Sequence, residues 1–298
     1  MPSAKVKNHI HLHILVFIAG FTAVLGELIS IAAVHLVWYR MVIASILMLL
    51  YIKIVGVKIN IDFKSVVRFS IAGIIIALHW ITFFGAIEVS NISITLAMFS
   101  TGAFFASFIE PIIYKRTIIW YEILFGVVVI IAVFIITQSE IRYLMGVLLG
   151  VSSAFFSSLF SVLNGSFLKK HSAIVISFYE FLSGVFFITI YIVLFEKDVS
   201  LDFFKISMVD FKYLLILGSV CTAYAFIASV HIMKVISPYT VVLTYNLEPI
   251  YGIIMAMVLF PEKEKMGITF YYGALIIIVV VIINAILKRG RTLKRQSS

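Results

Sequence analysis

Four of the ionisable residues inside the long apolar runs of this sequence stand out: Arg40, Glu110, Glu180 and Glu248. A charge placed in lipid costs about 2.5 to 3.5 kcal/mol on insertion scales, so such groups persist beside a partner, a polar cavity or a ligand. Glu248 precedes Pro249, whose ring offers no backbone N–H and leaves the carbonyl of Tyr245 without its helical partner. With Tyr245 and Asn246 alongside, this makes a kinked, polar site near the middle of its run. The carboxyl there is suited to binding a substrate amine or exchanging a proton. The same residues would also serve as a purely structural Glu-Pro kink.

Arg40 and Glu180 fall at matching places when the two halves of the chain are overlaid, so a buried ion pair between the halves is one expectation. The other is that Arg40 meets a substrate carboxylate, for which its planar fork is shaped. His79 and Trp80, followed by Phe83 and Phe84, could line a cavity and stack on an organic or ammonium group. A histidine bonded to a neighbouring helix and a packed tryptophan are the simpler alternatives. Ser100 and Thr101, with Tyr224 and Thr222 as counterparts, are further candidate contacts. Glu110 lies near Lys115 and Arg116, as a boundary salt bridge or an inner gate. Glu27 and Glu88 are expected at solvent-facing helix ends. His9, His11 and His13 alternate, but only His9 and His13 share a helix face and no acidic or thiolate ligand accompanies them, so no metal site is expected. The single cysteine, Cys221, reads as a packing residue and excludes a disulfide framework.

The elements that must hold these residues follow from composition. The chain has 298 residues, 63% of them hydrophobic and only 12% charged, with a mean hydropathy of +1.16. Such a composition cannot clothe a water-facing surface and requires lipid. Ten apolar runs are long enough to cross about 30 Å of hydrocarbon as helices. They are Leu12 to Leu28, Val34 to Ile52, Phe69 to Ile87, Ile92 to Ile113, Ile118 to Ile136, Tyr143 to Leu168, Ala173 to Leu194, Phe211 to Met233, Tyr239 to Phe260 and Thr269 to Leu287. They are continuously apolar and lack the alternation of a barrel strand, so the predicted fold class is all-α, a polytopic membrane protein.

The net charge of +9 does not point to nucleic acid, because the basic residues gather in alternate connections as the positive-inside rule expects. One side collects Lys5 and Lys7, Lys53, Lys58, Lys64 and Arg68, Lys115 and Arg116, Lys169 and Lys170, Lys234, and the basic tail from Lys288 to Arg295. The other holds Arg142, Lys197, Lys205, Lys212, Lys263 and Lys265, mostly beside acids. Both termini are therefore expected in the cytoplasm, with the tail near anionic lipid. The first run is read as a helix and not as a signal peptide, since no small-residue cleavage site leads into a polar domain.

An internal repeat appears at an offset of roughly 140 to 146 residues, which sets Trp38, Tyr39 and Arg40 on Phe178, Tyr179 and Glu180. Two units follow, residues 1–138 and 139–298. Five helices in each would give the second copy the opposite orientation, the build of many secondary carriers, whose site lies at the midplane where the copies meet. The sixth run carries small-residue stripes, Gly146, Gly150, Ala154 and Ser158 on one line and Ser153, Ser157, Ser161 and Gly165 on another, which allow close helix approach.

The closing stretch YNLEPIYGIIMAMVLFPEKEKMGITFYYGALIIIVVVIINAIL resembles the end of a repeat of the EamA-like branch of the drug/metabolite transporter superfamily, and LHWITFFGAIEVSNISITLAMFSTGAFFASFIEPIIYKR is a looser match in the first half. Glu110-Pro111 sits about nine residues later in its helix than Glu248-Pro249, so the two are not strict equivalents. The resemblance implies ten helices in two inverted repeats around a central cavity, and export or exchange of amino acids or related metabolites. The residues themselves give no reason to expect a cofactor, place the chain in a cell (inner) membrane, and leave proton coupling open through Glu248. The rival classes are a receptor or regulatory subunit, and a membrane-embedded enzyme. Against the enzyme, no run contains an Asp, and no HExxH, no phosphate loop and no serine paired with a base is present.

Overall fold

A computed structural model describes residues 4–195, 201–245 and 247–296; Lys197 and Asn246, and the side chains of Lys5 and of Lys288 to Arg295, lie outside the described set. The described residues are helical, with no strand among them. In order they are α1 (Ala4–Leu28), α2 (Ala33–Val55), α3 (Phe63–Val89), α4 (Ile92–Phe99), α5 (Gly102–Tyr114), α6 (Trp120–Ser139), α7 (Leu144–Phe167), α8 (Ala173–Phe195), α9 (Met208–Gly218), a π-helical turn (Ser219–Tyr224), α10 (Ala225–Ile232), α11 (Pro238–Tyr245), α12 (Glu248–Leu259) and α13 (Ile268–Gln296).

Among the described residues, eight helical spans are long and apolar enough to cross a membrane, the fourth running Ile92–Tyr114 and the eighth Met208–Ile232. The ninth expected run is interrupted, and its apolar helix Glu248–Leu259 is shorter than a span; the tenth contributes Ile268–Val280. The interruption has a local cause, since Pro249 stands at the start of α12, where a missing N–H costs nothing, and cannot continue a helix from α11. The eighth span begins earlier than expected. Asp210 lies in the first turn of α9, which corrects the reading that no span holds an Asp: Ser207 caps this helix by accepting from the Asp210 N–H at 3.0 Å.

Capping residues fix the other ends. Asp62 accepts from the Ser65 N–H at 3.1 Å and from the Ser65 hydroxyl, which holds its carboxyl below the usual range. Asn91 caps α4 through the Ile94 N–H at 2.9 Å. Gly56, with φ 70°, closes α2 in the left-handed conformation that glycine takes without penalty.

The two ends of the bundle are tied separately. At the end carrying the start of α1, His171 meets the Ser65 hydroxyl at 3.0 Å, the Tyr179 hydroxyl donates to the Ile59 carbonyl at 2.9 Å, and the Tyr114 hydroxyl to that of Val162 at 3.1 Å. This is the basic end, with Lys58, Lys115 and Lys169 in its connections. At the opposite end Ser30 donates twice to Asp210, and Glu264 accepts from the N–H groups of Ile92 and Ser93, completing the start of α4. Glu27 pairs with Lys263 and Glu88 accepts from the Ala33 N–H. The bond to Glu27 holds the Lys263 ammonium above its usual range.

Between the ends, packing relies on small residues. α3 lies on α7 and α8, α2 on α8 and α9, α1 on α10 and α12, and α6 on α13. At Gly73 a methyl group would overlap the carbonyl of Glu180, and at Gly218 it would press on Ile43 and the carbonyl of Arg40. Gly20 of α1 and Gly252 of α12 meet in the same way.

Candidate functional site

The cavity at the centre of this bundle follows from the two interrupted spans. α4 gives way to a turn at Ser100 and Thr101 before the chain resumes as α5 at Gly102, and in the ninth span Leu247 stands in a turn before α12 starts at Glu248. The space left beside these breaks is walled by α1, α2, α3, α7 and the α9 to α10 segment, and comprises about 910 Å³ not filled by atoms, counting the part that opens outward. It runs from Arg40, in the half of α2 nearer the opposite end, past Glu248 to Met233 and Val241 beside the connection at the basic end.

Arg40 is fully buried. Its Nε donates to the Thr222 hydroxyl at 3.0 Å, and its guanidinium lies 3.9 Å from the centre of the Trp80 ring and 5.2 Å from that of Phe84. Its Nη1 is buried and has no hydrogen-bond partner. The π-helical turn produces this contact. Thr222 bonds back to the carbonyl of Leu217, five residues earlier, at 2.5 Å, and the extra residue in the turn presents its hydroxyl to Arg40.

Glu248 is buried at the start of α12 and lines the same cavity, close enough to act on Arg40 electrostatically. Tyr245 stands beside it with its hydroxyl 2.6 Å from that of Ser229. His79 lines the wall with its Nδ1 held by the Ser153 hydroxyl at 2.8 Å and carbonyl at 3.1 Å, and its ring stacks on Phe99 at 5.5 Å. Phe160 and Phe226, with centroids 5.7 Å apart, continue an aromatic surface that reaches Trp80. Thr22, Ser157, Ser161 and Cys221 add small polar edges. The arrangement offers a cation fork at one end, a carboxyl further in, and aromatic faces between.

Of the residues expected here, the structure gathers His79, Trp80, Arg40, Tyr245 and Glu248 on one cavity. Ser100 and Thr101 turn inward onto their own helix, donating to the carbonyls of Leu96 and Met98, so Phe99 and Gly102 take their place on the wall. Tyr224 is half exposed on the bundle surface and bonds to His11 at 2.8 Å; the π-helical turn carries it away as it carries Thr222 in. Asn246 lies outside the described residues. Glu110 accepts from Arg116 at 2.8 Å, away from the cavity. Among the described residues no ion pair joins Arg40 to Glu180. Each is the eighth residue of its helix, but α2 and α8 start from opposite ends, which separates them by roughly 12 Å of depth at 1.5 Å per residue. Glu27 and Glu88, expected in solvent, line a polar vestibule at the opposite end with Ser30, Asn91 and Lys263. No group of histidine, cysteine or acidic residues among the described ones is arranged to hold a metal.

Residues 144–286 match the model of the EamA-like transporter family. A solved structure, described only as a crystal structure of a protein, superposes with a TM-score of 0.69 over 95% of this chain and 99% of its own, at 13% identity, which is a likeness of fold alone. No curated protein matches the chain. The matched region carries Glu248 and the π-helical turn that holds Arg40, and over residues 144–286 this multi-pass membrane protein is similar to the EamA-like transporter family.

Proposed function

We propose that the protein is a secondary transporter that exports or exchanges a small zwitterionic metabolite of the amino-acid class, by alternating access around the cavity between Arg40 and Glu248. The observation that carries this reading is that Arg40, whose buried Nη1 has no hydrogen-bond partner, lines a cavity that also holds a buried carboxyl. A carboxylate on Arg40 and an ammonium toward Glu248 would satisfy both, with Trp80 and His79 packing on the carbon skeleton. Trp80 already carries a cation on its face, which argues that this wall tolerates charge.

The full architecture we assign is ten spans in two inverted five-helix repeats. Its support is the matching turn that divides the fourth and ninth spans, with the starts of α4 and α11 and of α5 and α12 separated by one constant offset. A second support is the exchange of partners between halves, Gly73 beneath the Glu180 backbone and Gly218 beneath that of Arg40. The gathering of basic residues at one end favours a cytoplasmic position for that end in an inner membrane, and both termini with it. Members of the matched family are transporters, which speaks against the enzyme reading.

The test is counterflow into proteoliposomes loaded with mixed amino acids, with labelled tracers outside. Tracer accumulation in the native protein, reduced at least tenfold by Glu248→Gln, is the expected result. Absence of counterflow for every amino acid would remove this substrate class.

A further inference from the structure

We infer that Glu180, Asn164 and Ser177 form a buried site for one monovalent cation, a proton or a sodium ion, next to the substrate cavity and distinct from it. All three side chains are fully buried, Asn164 on α7 and Ser177 and Glu180 on α8, and both helices pack on α3. The Asn164 amide donates to Glu180 Oε2 at 3.4 Å, a long bond, while Glu180 Oε1, Asn164 Oδ1 and Ser177 Oγ have no hydrogen-bond partner. Ser177 and Glu180 are three residues apart on α8 and so share a face. None of these groups lines the cavity.

The chemistry follows from the deficit. A carboxylate, an amide carbonyl and a hydroxyl form a set of hard oxygen ligands, which suits an alkali cation or a proton and not a soft transition metal. One carboxylate balances one positive charge, so a divalent ion would leave a net charge in the bundle interior. Among the described residues no neighbouring cation already performs this task. Of the ionisable groups on the surrounding helices, Arg40 bonds Thr222, His79 bonds Ser153, His171 meets Ser65, and His35 stacks edge-on to Phe203. Lys53, Lys64, Arg68, Glu88 and His231 are exposed.

The position would let a bound cation act on the cavity. Asn164 follows Ser161, a cavity residue, by one helical turn on α7, and the carbonyl of Glu180 itself bears on Gly73 of α3, the helix that carries His79 and Trp80. Phe181, the next residue, lies 5.3 Å from the Trp80 ring. Its use in coupling rests on the transporter reading, whereas occupancy of the site does not.

Purified full-length protein in detergent is therefore melted across a sodium chloride series, with choline chloride holding ionic strength constant, and across a pH series without sodium. A cation that binds only the folded state raises the melting temperature with its concentration. A sodium-dependent rise identifies sodium; a rise on acidification that sodium does not alter identifies the proton. Either response should vanish in Glu180→Gln, and its midpoint should shift at least threefold, or half a pH unit, in Asn164→Leu. If Glu180→Gln does not fold, the Asn164→Leu shift decides. Responses unchanged in the variants, or a native protein indifferent to both ions, would overturn the site. Failure of counterflow with the ion response intact would remove the transporter reading and leave the site standing.

Discussion

At the scale of single residues, Arg40 is held by one hydrogen bond and one aromatic face, and its buried Nη1 has no hydrogen-bond partner. Thr222→Val removes the hydrogen bond to a buried charge, a loss of about 1.5 to 3 kcal/mol by analogy with similar bonds, measured as a lower melting temperature. Arg40→Lys keeps the charge but not the planar fork. In counterflow it should raise the half-saturating concentration for a free amino acid about tenfold or more, and do so far less for the amino-acid methyl ester, which has no carboxylate to lose. Equal effects on both compounds would mean that Arg40 is not the carboxylate's partner. Glu248, Arg40 and His79 were legible in the sequence because ionisable and imidazole groups in apolar runs need a reason to be there. Thr222 as the holder of Arg40 was not: 182 residues separate the two, and threonine in an apolar run carries no signal of its own.

At the scale of elements, two glycines of the same helix make opposite predictions. Gly73→Ala drives a methyl group into the Glu180 carbonyl, a backbone atom that can yield only by moving α8, and should reduce the amount of monodisperse protein recovered in detergent. Gly85 has only the tip of Leu149 at 3.6 Å from the added methyl, so Gly85→Ala should be tolerated and raise the melting temperature through the roughly 0.5 to 1 kcal/mol difference in helix propensity. Glu264→Gln tests the start of α4, where the carboxylate serves two backbone N–H groups; one amide oxygen replaces it poorly, and a loss of about 1 kcal/mol in stability is expected. The break at Glu248 was foreseeable from Pro249, but the matching break at Ser100 and Thr101 has no proline to announce it. The π-helical turn was equally silent, which is why Tyr224 was placed inward in error. Hydropathy reads a helix's length and not the extra residue that rotates its faces.

At the scale of the whole molecule, the cavity and the vestibule lie toward opposite ends of one bundle. The Glu27 to Lys263 pair and the bond from Asn91 to the Lys263 carbonyl tie the vestibule end. In a Cys221→Ser background, Met233→Cys should react with a membrane-impermeant thiol reagent applied at the basic end, and Ser30→Cys with the same reagent at the other end. Addition of substrate should change the two rates in opposite senses, whereas parallel changes would argue against alternating exposure. The membrane class and the all-helical build were fixed by composition, since apolar length leaves few options. The geometry of the central site depends on contacts between distant helices that no local pattern records.

The wall between cavity and vestibule is thin. Arg40 faces the cavity, and Phe84, whose ring lies 5.2 Å from its guanidinium, faces the vestibule. With water in both chambers, the transmembrane voltage falls mainly across that single layer of side chains. A unit charge carried through it exchanges about 2.3 kcal/mol with the field for every 100 mV. A zwitterion seated between Arg40 and Glu248 carries no net charge, so swapping one for another would pass no current, while an analogue lacking its carboxylate or its amine would make the same step electrogenic.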